Sequence, residues 1–234
     1  LYEVEKPELV IVQGDTTSAM VAALEAFYHK IPVAHIEAGL RTDDIYAPYP
    51  EEVNRRIISL IAKYNFCPTQ ESFYNLINES TWGKDYVVGQ TGIDTLMEME
   101  KEIKVEKKKK LLVTIHRREN EDKIKEIIEK IDEFYLRTNR EWEIVFVLHP
   151  NGILKDVPSY AVSVNALSYR EMIREIKESS LILTDSGGLQ EEASVLKIPV
   201  IIARSSTERP EGVEEGFAKL LGKRINLFKV PNKK

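Results

Sequence analysis

Short apolar runs alternate along this chain with longer segments whose apolar residues recur three and four apart. Leu9–Val12, Ile31–Ala34, Asn65–Cys67 and Tyr86–Val88 read as strands, and so do Leu111–Ile115, Ile144–Leu148, Val162–Val164, Leu181–Leu183 and Val200–Ala203. Runs this short, with little polar alternation, fit strands buried in a parallel sheet. Between them, Met20, Ala23, Leu24 and Phe27 share one helical face. A second helix is expected to open at Pro50-Glu51-Glu52 and run through Asn54, Arg55 and Ile58 to about Lys63. Glu71–Glu79, Tyr169–Lys177 and the segment opening at Gly187-Gly188 are helical too, and Ile124, Ile127, Ile128, Ile131, Phe134 and Tyr135 mark the clearest helix of all. Such regular alternation predicts an α/β fold of parallel sheets with helices on both faces. The charge run Glu98–Lys110 reads as a solvated linker that divides the chain into domains 1–98 and 99–234. Asn151-Gly152 is a turn signal.

Composition narrows the function classes. The net charge of -5 argues against a general nucleic-acid surface, and no apolar stretch approaches the length of about 20 residues that crosses a bilayer. The single cysteine, Cys67, leaves no disulfide framework or cysteine-rich zinc site, and a cytoplasmic setting is expected. The sequence starts at Leu1 with the tail of a helix and ends just after an apolar run, so it is expected to be part of a longer protein. There is no glycine-lysine-serine phosphate loop, no G-x-G-x-x-G turn, no H-E-x-x-H helix and no G-x-S-x-G elbow.

In open parallel sheets, ligands bind beyond the carboxyl ends of the strands. This chain places Asp15, His35 with Glu37, His116 with Arg117 and Glu119, His149, Ser186 with two glycines, and Arg204 with Arg209 at those ends, which suggests a cleft between two domains. Three of the four histidines fall there, while His29 ends a helix and reads as a C-terminal charge or cap. Two readings stand for Leu181–Ala193: an ordinary strand–turn–helix corner, or a phosphate cradle at a helix N-terminus with Glu191 and Glu192 within reach of a sugar hydroxyl. Asp15 reads either as a helix cap or as chemistry, and Glu51 either as a helix-start charge paired with Arg55 or as a catalytic acid. His116-Arg117-Arg118-Glu119 is denser in charge than a strand–helix turn needs, which favours function.

Six ordered blocks carry a resemblance: QGDTTS at 13–18, HIEAGLRT at 35–42, PYPEEVNRR at 48–56, HRREN at 116–120, TDSGGLQEEA at 184–193 and TERPEGVEEG at 207–216. Together they resemble the non-hydrolysing UDP-N-acetylglucosamine 2-epimerase family over nearly the whole chain. The resemblance implies two Rossmann-like domains of the glycosyltransferase-B type with UDP-sugar between them, a homodimer, and no cofactor or metal. It implies interconversion of UDP-GlcNAc and UDP-ManNAc by elimination of UDP to 2-acetamidoglucal and re-addition. Asp15, Glu37 and Glu51 then match acid/base carboxylates and His116 a catalytic histidine. Ser186, Gly187, Gly188 and Glu192 match the UDP-binding segment, Arg209 an arginine of the nucleotide site, and Arg55 one beside the carboxylates. An activator site for a second UDP-GlcNAc would lie near Arg117, Glu119 and His149. The family's opening strand and its K-x-G-T-R-P-E loop have no counterpart here, nor has its C-terminal helix, so the first domain is expected to be partial. A hydrolysing epimerase, a UDP-sugar binder without turnover and a glycosyltransferase of the same fold are the alternatives.

Overall fold

The computed structural model describes residues 2–221 except Asp43, Asn151, Gly152, Lys155, Asp156 and Ser205, so the expected Asn151-Gly152 turn lies outside the described residues. The chain divides into two units, Leu1–Thr91 and Gly92–Lys234.

The first unit runs α1 (Tyr2–Glu5), β1 (Val10–Gln13), α2 (Thr17–Tyr28), β2 (Val33–Ile36), α3 (Glu51–Ile61), β3 (Tyr64–Cys67), α4 (Gln70–Glu79) and β4 (Lys84–Val87). Its four strands lie parallel in the order β1-β2-β3-β4. Val12 and Val33 from the strands pack with Ala23 and Ala26 of α2 and Ile58 of α3. The small alanines let α2 approach the sheet closely. Thr16 caps α2 by accepting from the Ala19 N–H at 3.2 Å, and Thr69 caps α4 from the Ser72 N–H at 3.2 Å.

The second unit runs α5 (Thr91–Met99), β5 (Lys110–Thr114), α6 (Ile124–Arg137), β6 (Glu143–Val147), β7 (Val162–Val164), α7 (Tyr169–Glu178), β8 (Leu181–Thr184), α8 (Gly187–Val195), β9 (Val200–Ile202), α9 (Glu211–Glu214) and β10 (Ala218–Leu220). Its six strands are parallel in the order β10-β9-β8-β5-β6-β7. Counted within the unit this is the Rossmann order, with the reversal between β5 and β8. Alternation along the strands splits the core in two. Leu111, Val113, Ile144, Phe146, Leu181 and Leu183 meet Ile127, Ile131 and Phe134 of α6 on one face. Leu112, Val145, Ile182, Val200 and Ile202 meet Ile176 of α7 and Leu189 and Ala193 of α8 on the other. Both faces are covered, which is why these strands read as unbroken apolar runs. Truncating the fully buried Ile131 to alanine would cost about 2–5 kcal/mol.

The parallel α/β architecture agrees with the expectation, and two details differ. The division falls at Thr91 and not at Glu98, because α5 buries Leu96 against Ile173 of α7 and so belongs to the second unit. Nor is the charge run simply solvated. Ile103 is buried, and Lys110 is buried with its ammonium 3.0 Å from Glu175 and 2.8 Å from Glu178.

Candidate functional site

In the first unit the polar residues gather where β1 and β2 end. Gly14 and Glu37 both adopt left-handed backbone, at φ 69° and 67°, and for a glutamate that is a strained choice. A side chain at Gly14 would come within 3.3 Å of Glu37 Oε2, so the glycine leaves room for that carboxylate. Gln90 Nε2 donates to Glu37 Oε1 at 3.2 Å. The neighbouring His35 is fully buried. Its Nε2–H donates to the Gly14 carbonyl at 2.9 Å, since a carbonyl can only accept, and the Ser59 hydroxyl lies 3.4 Å from Nδ1. Burial pushes the imidazole down to about 4 despite the bond to Gly14, with Arg41 and Arg55 lowering it further. His35 is therefore a neutral clamp between the two strand ends.

Helix α3 supplies the rest. Arg55 Nη2 pairs with Asp15 Oδ2, and Asn54 Nδ2 donates to the Asp15 carbonyl at 2.9 Å. Asp15 is thus held by backbone and side chain, and Thr16 rather than Asp15 caps α2. Arg55 turns to Asp15 and to Glu52, 3.4 Å away, leaving Glu51 at the first position of α3 without an ion pair among the described residues. Glu52 is fully buried and accepts from the Thr42 N–H at 3.1 Å and from Arg56 Nε at 2.8 Å. Of two adjacent glutamates, one anchors the loop and the other is available.

In the second unit the site lies at the reversal between β5 and β8. A cavity of about 220 Å³ is lined by Ile115 and His116 beyond β5, Val147, Leu148 and His149 around the end of β6, Ala166, Leu167 and Met172 before and in α7, and Ser186 and Leu189 at the start of α8. Most of its wall is apolar, with a few polar groups among the lining residues, as a flat heterocycle joined to an anion would need. The Asp185 carboxylate is wholly buried beneath it. It accepts from the N–H groups of His116 at 3.1 Å and Arg117 at 2.9 Å and from Asn120 Nδ2 at 2.9 Å, and its Oδ1 lies 3.0 Å from His116 Nδ1. Burial alone would push its pKa up, but the bonds from His116, Arg117 and Asn120 hold it below the ordinary carboxylate value. His116 is one-third exposed and stacks on His149 with ring centroids 5.3 Å apart.

The α8 N-terminus is a candidate anion site. Ser186 caps it, accepting from the Leu189 N–H at 3.5 Å. A side chain at Gly187 would strike the Arg209 guanidinium, whereas one at Gly188 would meet open space. Arg209 is fixed by Glu208 and by Glu191 Oε1 at 2.7 Å, and Thr207 ties its loop to Gln190 at 2.8 Å. Free helix donors, the helix dipole and a guanidinium converge there. Glu192, one turn on, receives the Tyr169 hydroxyl at 3.0 Å, and burial keeps its carboxyl raised despite that bond.

Each expected residue can now be placed. His116, His149 and Ser186 line one cavity, and Gly187 and Arg209 are in contact. Arg117 packs its Nε against the Asp185 carbonyl at 3.1 Å, and Glu119 lies 3.4 Å from the buried Arg204. Asp185, Asn120, Tyr169, Gln90 and Glu52 were not among the expected site residues. Among the described residues no cluster of histidine, cysteine and acidic side chains suits a metal ion, and no helix is long and apolar enough to cross a membrane.

The chain is similar to proteins of known identity. A family model described as UDP-N-acetylglucosamine 2-epimerase matches residues 1–226. The chain is 42% identical to the UDP-N-acetylglucosamine 2-epimerase of Campylobacter jejuni, over 93% of its own length and 64% of the relative's. It therefore spans under two thirds of the curated relatives it matches first. The crystal structure of the Neisseria meningitidis UDP-GlcNAc 2-epimerase bound to UDP-GlcNAc is similar at TM-score 0.87 and 39% identity, covering 94% of this chain and 66% of that one. The Methanocaldococcus jannaschii enzyme in complex with UDP-GlcNAc and UDP gives TM-score 0.82 and 37% identity over 94% of this chain and 67% of that one. Two parallel α/β units and this likeness agree with the glycosyltransferase-B class expected from the sequence, and they show that the chain belongs to the UDP-N-acetylglucosamine 2-epimerase family.

Proposed function

We propose that this chain supplies the acid/base and nucleotide-binding residues of a non-hydrolysing epimerase that interconverts UDP-GlcNAc and UDP-ManNAc. A carboxylate of the first unit removes the C2 proton, the C1–O bond to UDP breaks, and a C1=C2 bond forms to give 2-acetamidoglucal. UDP then re-adds at C1 as a second group returns a proton to the opposite face of C2. Asp15, Glu37 and Glu51 are the acid/base candidates, and Arg55 holds Asp15 in place. The second unit holds the departing diphosphate through Ser186, Gly187, Gly188 and Arg209, presents His116 to it, and offers Glu192 to the ribose. The apolar wall of the cavity accepts the uracil ring.

One observation carries this reading: in a chain of the epimerase family, a cation-topped helix N-terminus stands beside a buried aspartate paired with a part-exposed histidine at the reversal point of the second sheet. Arg117, Glu119 and His149 belong to an activator site for a second UDP-GlcNAc in the same proposal, which also takes the protein to be a cytoplasmic homodimer. Incubation with UDP-GlcNAc in deuterated water, followed by proton NMR, tests the chemistry. The expected result is UDP-ManNAc with loss of the C2 proton signal, abolished by Asp15→Asn with UDP affinity largely kept. Stoichiometric free UDP without UDP-ManNAc would sink the non-hydrolysing reading, and UDP binding without C2 exchange would reduce the chain to a binder.

A further inference from the structure

Beneath the cavity of the second unit lies a carboxylate that the proposed chemistry does not use. Asp185 is fully buried, and its two oxygens share the His116 N–H, 3.2 Å from Oδ1 and 3.1 Å from Oδ2, but otherwise face different partners. Oδ2 accepts from the Arg117 N–H at 2.9 Å, from Asn120 Nδ2 at 2.9 Å and from the His116 N–H at 3.1 Å. Oδ1 faces the His116 ring, 3.0 Å from Nδ1. The carboxylate can only accept here, so in the neutral ring Nδ1 carries the hydrogen and Nε2 is left bare. We infer that Asp185 is a positioning residue: it fixes the tautomer of His116, so that Nε2 is the atom offered to the nucleotide's diphosphate, and it stabilises the imidazolium when Nε2 gains a proton. This rests on the proposed role of His116 and extends it, since it states which ring atom acts and why.

The same contacts predict what an amide would do in that position. In Asp185→Asn, the Arg117 N–H and Asn120 Nδ2 bond only the Oδ2 position, and with the shared His116 N–H they hold the carbonyl oxygen there. The amide nitrogen is thereby turned toward His116 Nδ1. Two N–H groups cannot face each other, so Nδ1 becomes the acceptor and the ring hydrogen moves to Nε2. The ring keeps its place with its acid/base polarity reversed. This is how an aspartate orients a catalytic imidazole in general.

The test reads the ring directly. With four histidines in the chain, subtraction of an H116Q spectrum assigns the His116 ring signals in long-range ¹⁵N–¹H NMR. The neutral wild-type ring is expected as the Nδ1–H tautomer and the D185N ring as the Nε2–H tautomer. With UDP-GlcNAc as substrate, D185N is expected to lower kcat by roughly 100-fold, with the Kd for UDP within about threefold of wild type. A merely structural role would instead weaken UDP binding and leave the tautomer alone. Wild-type kcat in D185N, or an Nε2–H ring in the wild-type protein, overturns the inference, and the second measurement stands even where D185N does not fold. Absence of epimerisation by the wild-type protein would defeat the proposed function, yet the tautomer would still report on Asp185.

Discussion

The guanidinium of Arg209 fills the space that a side chain at Gly187 would need, so the first residue of α8 must be glycine for the cation to lie against the helix N-terminus. At Gly188 the corresponding space is open. The two glycines therefore serve different ends. Gly187→Ala is expected to destabilise the free protein by about 1–3 kcal/mol, because Arg209 and Glu208 are packed and cannot retreat freely. Gly188→Ala is expected to leave the melting temperature unchanged or slightly raised and to weaken UDP roughly tenfold, since its methyl enters the space an anion would take. Thermal melts paired with calorimetric UDP titrations separate the two effects.

The adjacent glutamates of α3 should part in the same way. Glu52 is buried among Thr42, Arg55 and Arg56, and Glu52→Gln is expected to cost about 1–3 kcal/mol by removing a buried acceptor charge, while Arg55 keeps Asp15 and Arg56 keeps Glu79 as partners. Glu51→Gln is expected to stay within about 0.5 kcal/mol of wild type in urea denaturation. Under the proposed chemistry it would slow C2 proton exchange by roughly 100-fold.

His35 predicts a pH dependence. Its folded-state value is lowered from 6.5 to about 4, so the folded protein takes up that proton less readily than the unfolded chain. The associated stability is complete above about pH 6.5 and is lost as pH falls toward 4, by roughly 3 kcal/mol. Urea melts between pH 7 and 4.5 should show this slope, and His35→Gln should flatten it while lowering stability at neutral pH.

Tyr169 gives a fourth expectation. Its hydroxyl donates to Glu192 at 3.0 Å, and its removal in Tyr169→Phe leaves that carboxyl without its neutral donor. A net hydrogen bond of about 1 kcal/mol corresponds to a UDP affinity some fivefold weaker. An unchanged Kd in UDP titrations would show that Tyr169 does not serve Glu192 in binding.

Much of this site could be read before the structure because a parallel sheet places chemistry at predictable points. Asp15, Glu37, His116 and Ser186 each follow a short apolar run, and those runs became β1, β2, β5 and β8. What stayed hidden depends on partners distant in sequence. Asp185 gains its meaning from His116 and Asn120, 69 and 65 residues earlier, and nothing local distinguishes it from a helix-start aspartate. Glu51 and Glu52 look alike as letters, and only the path of the Thr42 loop separates them. Lys110 closes a run of lysines that reads as solvated, yet the acidic end of α7 draws it into the core. Helix α5 escaped notice because its single buried leucine, Leu96, borders that same charged stretch.

The strand pair at the heart of the second unit has a consequence for folding. The hydroxyls of Thr114 and Thr184 touch at 2.6 Å across 70 residues of chain, and the cavity opens just above them. Closing so long a loop has an entropic cost, and the cavity takes shape only once β5 and β8 are paired. Under the proposed function, a nucleotide bound there would add its free energy to the opening of the six-stranded unit. Its mark in hydrogen exchange would be a uniform slowing of the most protected amides, with frayed loops exchanging as before.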